Sequence, residues 1–317
     1  LQTNITAGDT AARAGRKNLI INGGFDVWQR GTSFTGASPY YSTDRWQAYR
    51  GGAVAGMTLS RQDNHSNIST YYARSQRDSG NTSTAVILLA TSLETINNYS
   101  LLSKEITLSF RSLAGGDFSG GTITAEITAG TGTNGSHANG FTGQSAVGTV
   151  TVAPNATFGT GVHTLTVTMP ANATQVSANI RWTPTGTAGA NDWVGITNVQ
   201  LELGSVATDF EHRSYGEELA LCQRFYQDSG FIKYYMSGRW AASTGGSIGW
   251  WKWAVPLRAA PSVTTSGTWS TGYTYGGTPI FANMTTVGTI IQTSGITFPA
   301  NTVMYFNNGN ILADAEL

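Results

Sequence analysis

Between residues 18 and 213 apolar side chains recur at every second position. Ala53, Ala55, Met57 and Leu59 alternate with their neighbours, as do Ile106, Leu108 and Phe110, and then Val176, Ala178, Ile180 and Trp182. Val199, Leu201 and Leu203 are separated by Gln200 and Glu202, and Gly204 closes that run. A period of two marks a strand with one buried face. Runs of this length parted by Gly, Asn and Ser clusters predict an antiparallel sandwich. Residues 85–90 (AVILLA) are instead continuously apolar, which reads as a strand buried on both faces, with a short helix as the alternative that periodicity does not separate from it. Residues 130–143 (GTGTNGSHANGFTG) read by composition as a mobile loop.

The stretch 18–31, NLIINGGFDVWQRG, organises the rest. Leu19, Ile20 and Ile21 form an aliphatic run, Asn22, Gly23 and Gly24 tolerate positive φ, and Phe25 and Val27 then alternate with Asp26. This predicts strand, kink, strand, lying beside the closing strand around Val199 so that the two ends of one module meet. The period changes at Ser214-Tyr215-Gly216-Glu217, an S-x-x-E capping box that starts a helix. Leu219, Cys222, Phe225 and Tyr226 follow at near-helical spacing, and Asp228-Ser229-Gly230 ends the run after about three turns. Short strands return beyond Gly230, with residues 249–255 (GWWKWAV) the most aromatic and Pro256 and Pro261 confined to extended or edge positions. No fixed-period repeat occurs, which excludes a solenoid or triple-stranded β-helix.

Composition sharpens this all-β reading. The 317 residues suit two domains, each able to bury a core. Only 11% are charged, against roughly 25% in an average soluble protein, so solubility rests on neutral polar groups. Eighteen basic and eighteen acidic side chains cancel, leaving no electrostatic footprint for nucleic acid or an anionic membrane. The single Cys222 excludes an intrachain disulfide and reads as a small buried apolar residue. No apolar run approaches the ~20 residues of a membrane span, and no signal peptide pattern opens the chain. Residues 1–17 read as a connector with Arg13, Arg16 and Lys17 near its end, leading in from an upstream region, since the chain opens on Leu1 and not on Met.

Residues 18–31 with Ser42-Thr43-Asp44-Arg45-Trp46, residues 104–115 (KEITLSFRSLAG) and residues 196–213 (ITNVQLELGSVATDFEHR) resemble the carbohydrate-binding-module-like jelly roll of bacteriophage tail fibres and other virion receptor-binding proteins. Residues 217–227 (EELALCQRFYQ), 255–263 (VPLRAAPSV) and 313–317 (ADAEL) resemble the C-terminal half of the same fibres. The resemblance implies a jelly roll over 18–213, a capped helix over 214–230 and a smaller β-rich receptor-binding domain over 231–317. It also implies a virion-surface location, virion proteins as upstream partners and a homo-oligomer, with a trimer favoured. Relatives of this kind often hold a structural calcium through a carboxylate of the opening motif and oxygens of the last strand. Asp26 matches the first position, while Asn198 stands where Asp is typical, which lowers the charge offered to a hard cation. No other cofactor is implied.

Enzyme chemistry finds little support in the residues. G-x-S-x-G, H-E-x-x-H, P-loop and cysteine-cluster motifs are absent, and His65, His137, His163 and His212 are scattered. Glycoside hydrolysis needs two carboxylates flanking a sugar bond; Glu94, Glu105, Asp117 and Glu126 are open to such pairing, or are solvated strand-end groups. Sugar binding needs aromatic rings for C–H faces and neutral amides, hydroxyls and an occasional Arg for hydroxyls. Tyr40-Tyr41, Tyr71-Tyr72 with Arg74, and Tyr234-Tyr235 with Arg239-Trp240 are doublets from which strand alternation exposes one ring each. In residues 249–255, Trp251, Trp253 and Val255 share one face and Trp250, Lys252 and Ala254 the other, the latter exposed. The sequence therefore predicts a non-catalytic glycan adhesin for a host cell-surface polysaccharide, using Tyr234, Tyr235, Arg239, Trp240, Trp250, Lys252, Tyr71, Tyr72 and Arg74, with the distal part favoured by resemblance. A polysaccharide depolymerase and a purely structural virion decoration are the alternatives.

Overall fold

The alternating runs become strands of two six-stranded antiparallel sheets. The computed structural model describes residues 16–36, 40–50, 56–64, 66–230, 232–236, 244–245, 248–271, 280–292, 296–297 and 304–316. One sheet runs β1 (Ser33–Thr35), β4 (Met57–Asp63), β5 (Tyr71–Arg77), β12 (Trp193–Leu203), β7 (Glu105–Ala114) and β10 (His163–Thr168). The other runs β2 (Tyr40–Tyr41), β3 (Gln47–Arg50), β6 (Ile87–Ser92), β11 (Gln175–Trp182), β8 (Ile123–Thr131) and β9 (Thr142–Val152). The chain crosses repeatedly from sheet to sheet, making a jelly-roll sandwich. Its core takes Ile106, Leu108, Phe110, Ile196 and Leu201 from one sheet and Ile87, Leu89, Ile123, Ile180 and Trp182 from the other. Each such fully buried side chain contributes roughly 1.5–3 kcal/mol. Residues 85–90 belong to the strand reading and not to a helix: all of Ile87–Ser92 is buried.

The opening stretch lies beside β12, but through turns and not as a strand. Leu19 N donates to Leu201 O and Val199 N donates to Gly23 O, and the Asn18 side chain fastens the opening stretch to β12 by donating to Val199 O and accepting from Leu201 N. Positive φ falls on Asn22 and Phe25, not on Gly23 or Gly24. Gly23 is required for another reason: a Cβ there would lie 2.0 Å from Val199 O. Asn22 Nδ2 donates to Val27 O and Asp44 O, its Oδ1 accepts from Val27 N, and Trp46 Nε1 donates to Asn22 O. The two opening motifs are thus one buried corner.

A second polar anchor ties β5 to the start of β12. Arg77 and Asp192 are both fully buried and meet at 2.8 Å. Arg77 also donates to Ser119 Oγ and to the carbonyls of Thr185 and Gly186, while Asp192 accepts from Ser119 N and Oγ. Residues 130–143 are pinned, contrary to the mobile loop expected. Gly135 N donates to Gln175 Oε1, His137 N to Ser92 Oγ and Ala138 N to Gln47 Oε1, and the His137 ring meets Ser177 Oγ at 2.8 Å. Buried side-chain acceptors on the sheet supply what glycine-rich composition alone does not reveal.

The chain divides after Glu218, within the helix Tyr215–Gln223, into two compact units. Glu217 N donates to Ser214 Oγ, one half of the capping box, but the Glu217 carboxylate pairs with Arg16 at 2.9 Å. The helix stops earlier than its spacing implied, because Tyr226–Asp228 becomes β13 and pairs with the last strand, β21 (Met304–Asp314). β21 also pairs with β14 (Ile232–Met236) and β17 (Ser262–Thr271). β16 (Ile248–Lys252), β19 (Gly288–Gln292) and β18 (Ile280–Ala282) form a further sheet, and β15 (Thr244–Gly245) pairs with β20 (Ile296–Thr297).

Candidate functional site

Because Ala73 on β5 and Val194 and Ile196 on β12 enter the core, alternation turns Tyr72, Arg74 and Gln76, and Trp193, Gly195 and Thr197, to the opposite face of the sheet. Register sets Arg74 opposite Gly195, and Gln76 opposite Trp193. On the other side of β12, Leu113 faces Gly195 and Arg111 faces Thr197. The missing side chain of Gly195 makes room for a ring. A Cβ at that position would lie 2.7 Å from the Tyr72 ring, so the ring rests on the strand backbone. Phe158, from the β9–β10 connection, meets Tyr72 edge-on at 5.1 Å, and Trp193 lies 6.5 Å away at 33°. The Arg74 guanidinium sits 5.7 Å from the Trp193 ring, within the reach of a cation–π contact.

This surface is half-buried at Tyr72, Arg74 and Trp193, with Phe158 buried as its support. Burial raises the Tyr72 phenol above its ordinary value, against a smaller opposing effect of Arg74, so the hydroxyl remains a neutral donor and acceptor. Gln62 donates to Ser60 Oγ and Gln76 to Ala190 O along the rim. Arg111 donates to the carbonyls of Phe158 and Gly161, fixing the connection that carries Phe158. Flat apolar rings bordered by amides and a guanidinium can take the C–H face and hydroxyls of a sugar.

Of the residues singled out in the sequence, Tyr72 and Arg74 come together here. Tyr71 alternates to the other side of β5, where the Arg61 guanidinium lies 4.3 Å from its ring. Trp250 is 48% exposed and Lys252 is exposed, while Trp253 is buried, as the alternation in residues 249–255 implied. Trp250 lies over Gly288, whose Cβ would meet its ring at 2.6 Å. Arg239 and Trp240, and the side chains of Tyr234 and Tyr235, lie outside the described residues. Sequence reasoning missed Trp193, Gly195, Phe158 and Arg111. Trp193 was within reach, since it stands out of phase with Val194 and Ile196; Phe158 carries no periodic signal.

Asp26 and Asn198 line one cavity of about 300 Å³ with Gly24, Ile68, Phe210 and His212. Asn198 occupies a bulge in β12 at positive φ, and its Nδ2 donates to Ile68 O. Burial, reinforced by the charge of Glu218, pushes the Asp26 carboxyl up to about 6. A calcium ion takes six to eight oxygen ligands. Among the described residues Asp26 is the one carboxylate lining this cavity, Ser66, Asn67, Ser69, Thr70 and Asn198 add neutral polar groups, and no three His, Cys, Asp or Glu side chains converge. One carboxylate with neutral oxygens offers a hard cation less charge than a carboxylate-rich cage.

The four carboxylates considered for glycoside hydrolysis occupy separate places. Glu126 on β8 pairs with Arg181 at 2.8 Å, Asp117 accepts from Asn191 N, Glu94 precedes the short helix Thr95–Asn98, and Glu105 opens β7. His137 and His163 are both held below the ordinary histidine value by burial. Among the described residues no helix is long and apolar enough to cross a membrane.

No protein-family model matches the chain, and no curated protein matches it. Among solved structures it is similar to the enzymatically active domain of bacteriophage CBA120 tailspike protein 4, at 11% identity and TM-score 0.37, over 59% of this chain and 21% of that one. It is similar to TmCBM61 in complex with β-1,4-galactotriose, at 12% identity and TM-score 0.34, over 60% of this chain and all of the module. A putative sugar binding protein from Bacteroides thetaiotaomicron matches at 13% identity and TM-score 0.38, over 59% of this chain and all of that protein. Likenesses of this size leave function to be argued from the chain's own residues.

Proposed function

We propose that the protein binds a glycan, without catalysis, on the outward face of β5 and β12. The observation that carries this reading is the Tyr72 ring seated on Gly195 beside Trp193, with Arg74 over the tryptophan. Four residues from two strands far apart in sequence build one partly exposed aromatic surface with polar edges. Core packing alone does not require aromatic groups on the face turned away from the core.

The resemblance of the opening, middle and closing motifs to virion receptor-binding proteins extends the proposal. The glycan is a host cell-surface polysaccharide, the protein stands on a virion surface joined to other virion proteins, and a homotrimer repeats the site. Repetition converts weak single contacts into firm attachment through effective concentration. A glycan array probed with the purified full chain, with reducing-end release followed in the same samples, tests this function. Saturable binding without release, lost in Trp193→Ala and Tyr72→Ala, is the expected result. Release of sugar would favour a depolymerase, and no binding would favour a structural role.

A further inference from the structure

Several arginines are neutralised by acidic neighbours: Arg77 by Asp192, Arg181 by Glu126, and Arg213 by Glu211 and Glu218. Arg74 is different. It makes no hydrogen bond or ion pair with any described residue, its Nε is buried without an acceptor, and its guanidinium lies against the Trp193 ring. The outward positions around it are Ser60 and Gln62 on β4, Tyr72 and Gln76 on β5, Trp193, Gly195 and Thr197 on β12, and Arg111 and Leu113 on β7. None is acidic. Arg111 spends its donors on carbonyls, which hold it in place without cancelling its charge. A chain with formal net charge zero therefore sets two guanidinium groups and, among the described residues, no carboxylate at these positions of its aromatic face.

We infer that this face takes an acidic saccharide whose carboxylate meets the Arg74 guanidinium while its ring lies on the Tyr72–Trp193 surface. The inference rests on the glycan reading of the same face and narrows its ligand. A guanidinium presents parallel N–H donors that match a carboxylate in a bidentate pair. Neighbouring aromatic rings lower the local dielectric and so strengthen that pair relative to water. A neutral sugar would leave the cation unmatched.

The test is an array of matched pairs, each carboxylated oligosaccharide beside its methyl ester, probed with the full chain as wild type, Arg74→Met, Arg74→Lys and Trp193→Ala. Circular dichroism confirms that each variant is folded. The wild type should bind carboxylated members at least tenfold more tightly than their esters. Arg74→Met should erase that preference, Arg74→Lys should retain part of it by keeping the charge, and Trp193→Ala should weaken both members of each pair. Equal binding of acid and ester by the wild type, or an acid preference that survives Arg74→Met, would overturn the acidic ligand and leave glycan binding standing. Preference for sulfated or phosphorylated sugars over carboxylated ones would overturn the carboxylate assignment. No binding to any glycan would overturn both.

Discussion

Tyr72 and Trp250 each rest on a glycine, one in each unit, and they differ in what surrounds them. Tyr72 lies over Gly195 with Phe158 at its edge, Trp193 beside it and Arg74 within one residue spacing on the same face. Trp250 lies over Gly288 in a three-stranded sheet, is 48% exposed, and shares its face with Lys252. The first ring belongs to a strand whose other face is the core of a sandwich, so its position is fixed by packing on both sides. Exposure alone does not make a recognition surface; fixed neighbours with complementary chemistry do.

The largest way to break the comparison is to remove what holds β5 against β12. Arg77→Ala leaves Asp192 fully buried without its cation and should cost about 3–5 kcal/mol, measured by denaturant unfolding, with loss of glycan binding. Next come the two glycines. Gly195→Ala forces a Cβ to within 2.7 Å of the Tyr72 ring, and Gly288→Ala forces one to within 2.5 Å of Trp251 O and 2.6 Å of the Trp250 ring. Each should destabilise by about 1–3 kcal/mol. Titration with the glycan should separate them: Gly195→Ala loses affinity and Gly288→Ala retains it.

The Asp26 cavity supplies a smaller, pH-dependent effect in the same sandwich. Its carboxyl titrates near 6 when folded and at 3.8 in the reference state, so the stability gained from its proton is full below about 3.8 and lost as pH rises through 6. Asp26→Asn should therefore match the wild type at pH 4 and exceed it at pH 7 by about 1 kcal/mol, a value reduced for the carboxyl's partial exposure. Thermal melts at the two pH values check this. The smallest effect on binding is expected from Trp250→Ala, in the other unit: within twofold in glycan affinity.

The same contrast shows what a single sequence discloses. Period-two alternation located Ile106–Phe110 and Val176–Trp182 in the core because burial on one face leaves a local signature. Tyr72 and Arg74 were also singled out from local pattern, with the outward ring of the Tyr71-Tyr72 doublet left open. Trp193, Gly195 and Phe158 were not, since their meeting with Tyr72 depends on strand register between segments more than a hundred residues apart or on a loop without period. The glycines of the opening motif were legible as special but for the wrong reason, because close approach of Gly23 to Val199 O is a tertiary fact. Residues 130–143 failed similarly: composition reports backbone freedom, whereas Ser92, Gln47 and Gln175 supply the partners that remove it.

The most direct test is calorimetric titration of the best-binding glycan into the full chain as wild type, Trp193→Ala and Trp250→Ala. The account predicts at least a tenfold loss for Trp193→Ala, about 1.4 kcal/mol, and near-unchanged affinity for Trp250→Ala. The reverse pattern, with Trp193→Ala binding normally and Trp250→Ala not, would move the recognition surface to the C-terminal unit and contradict it.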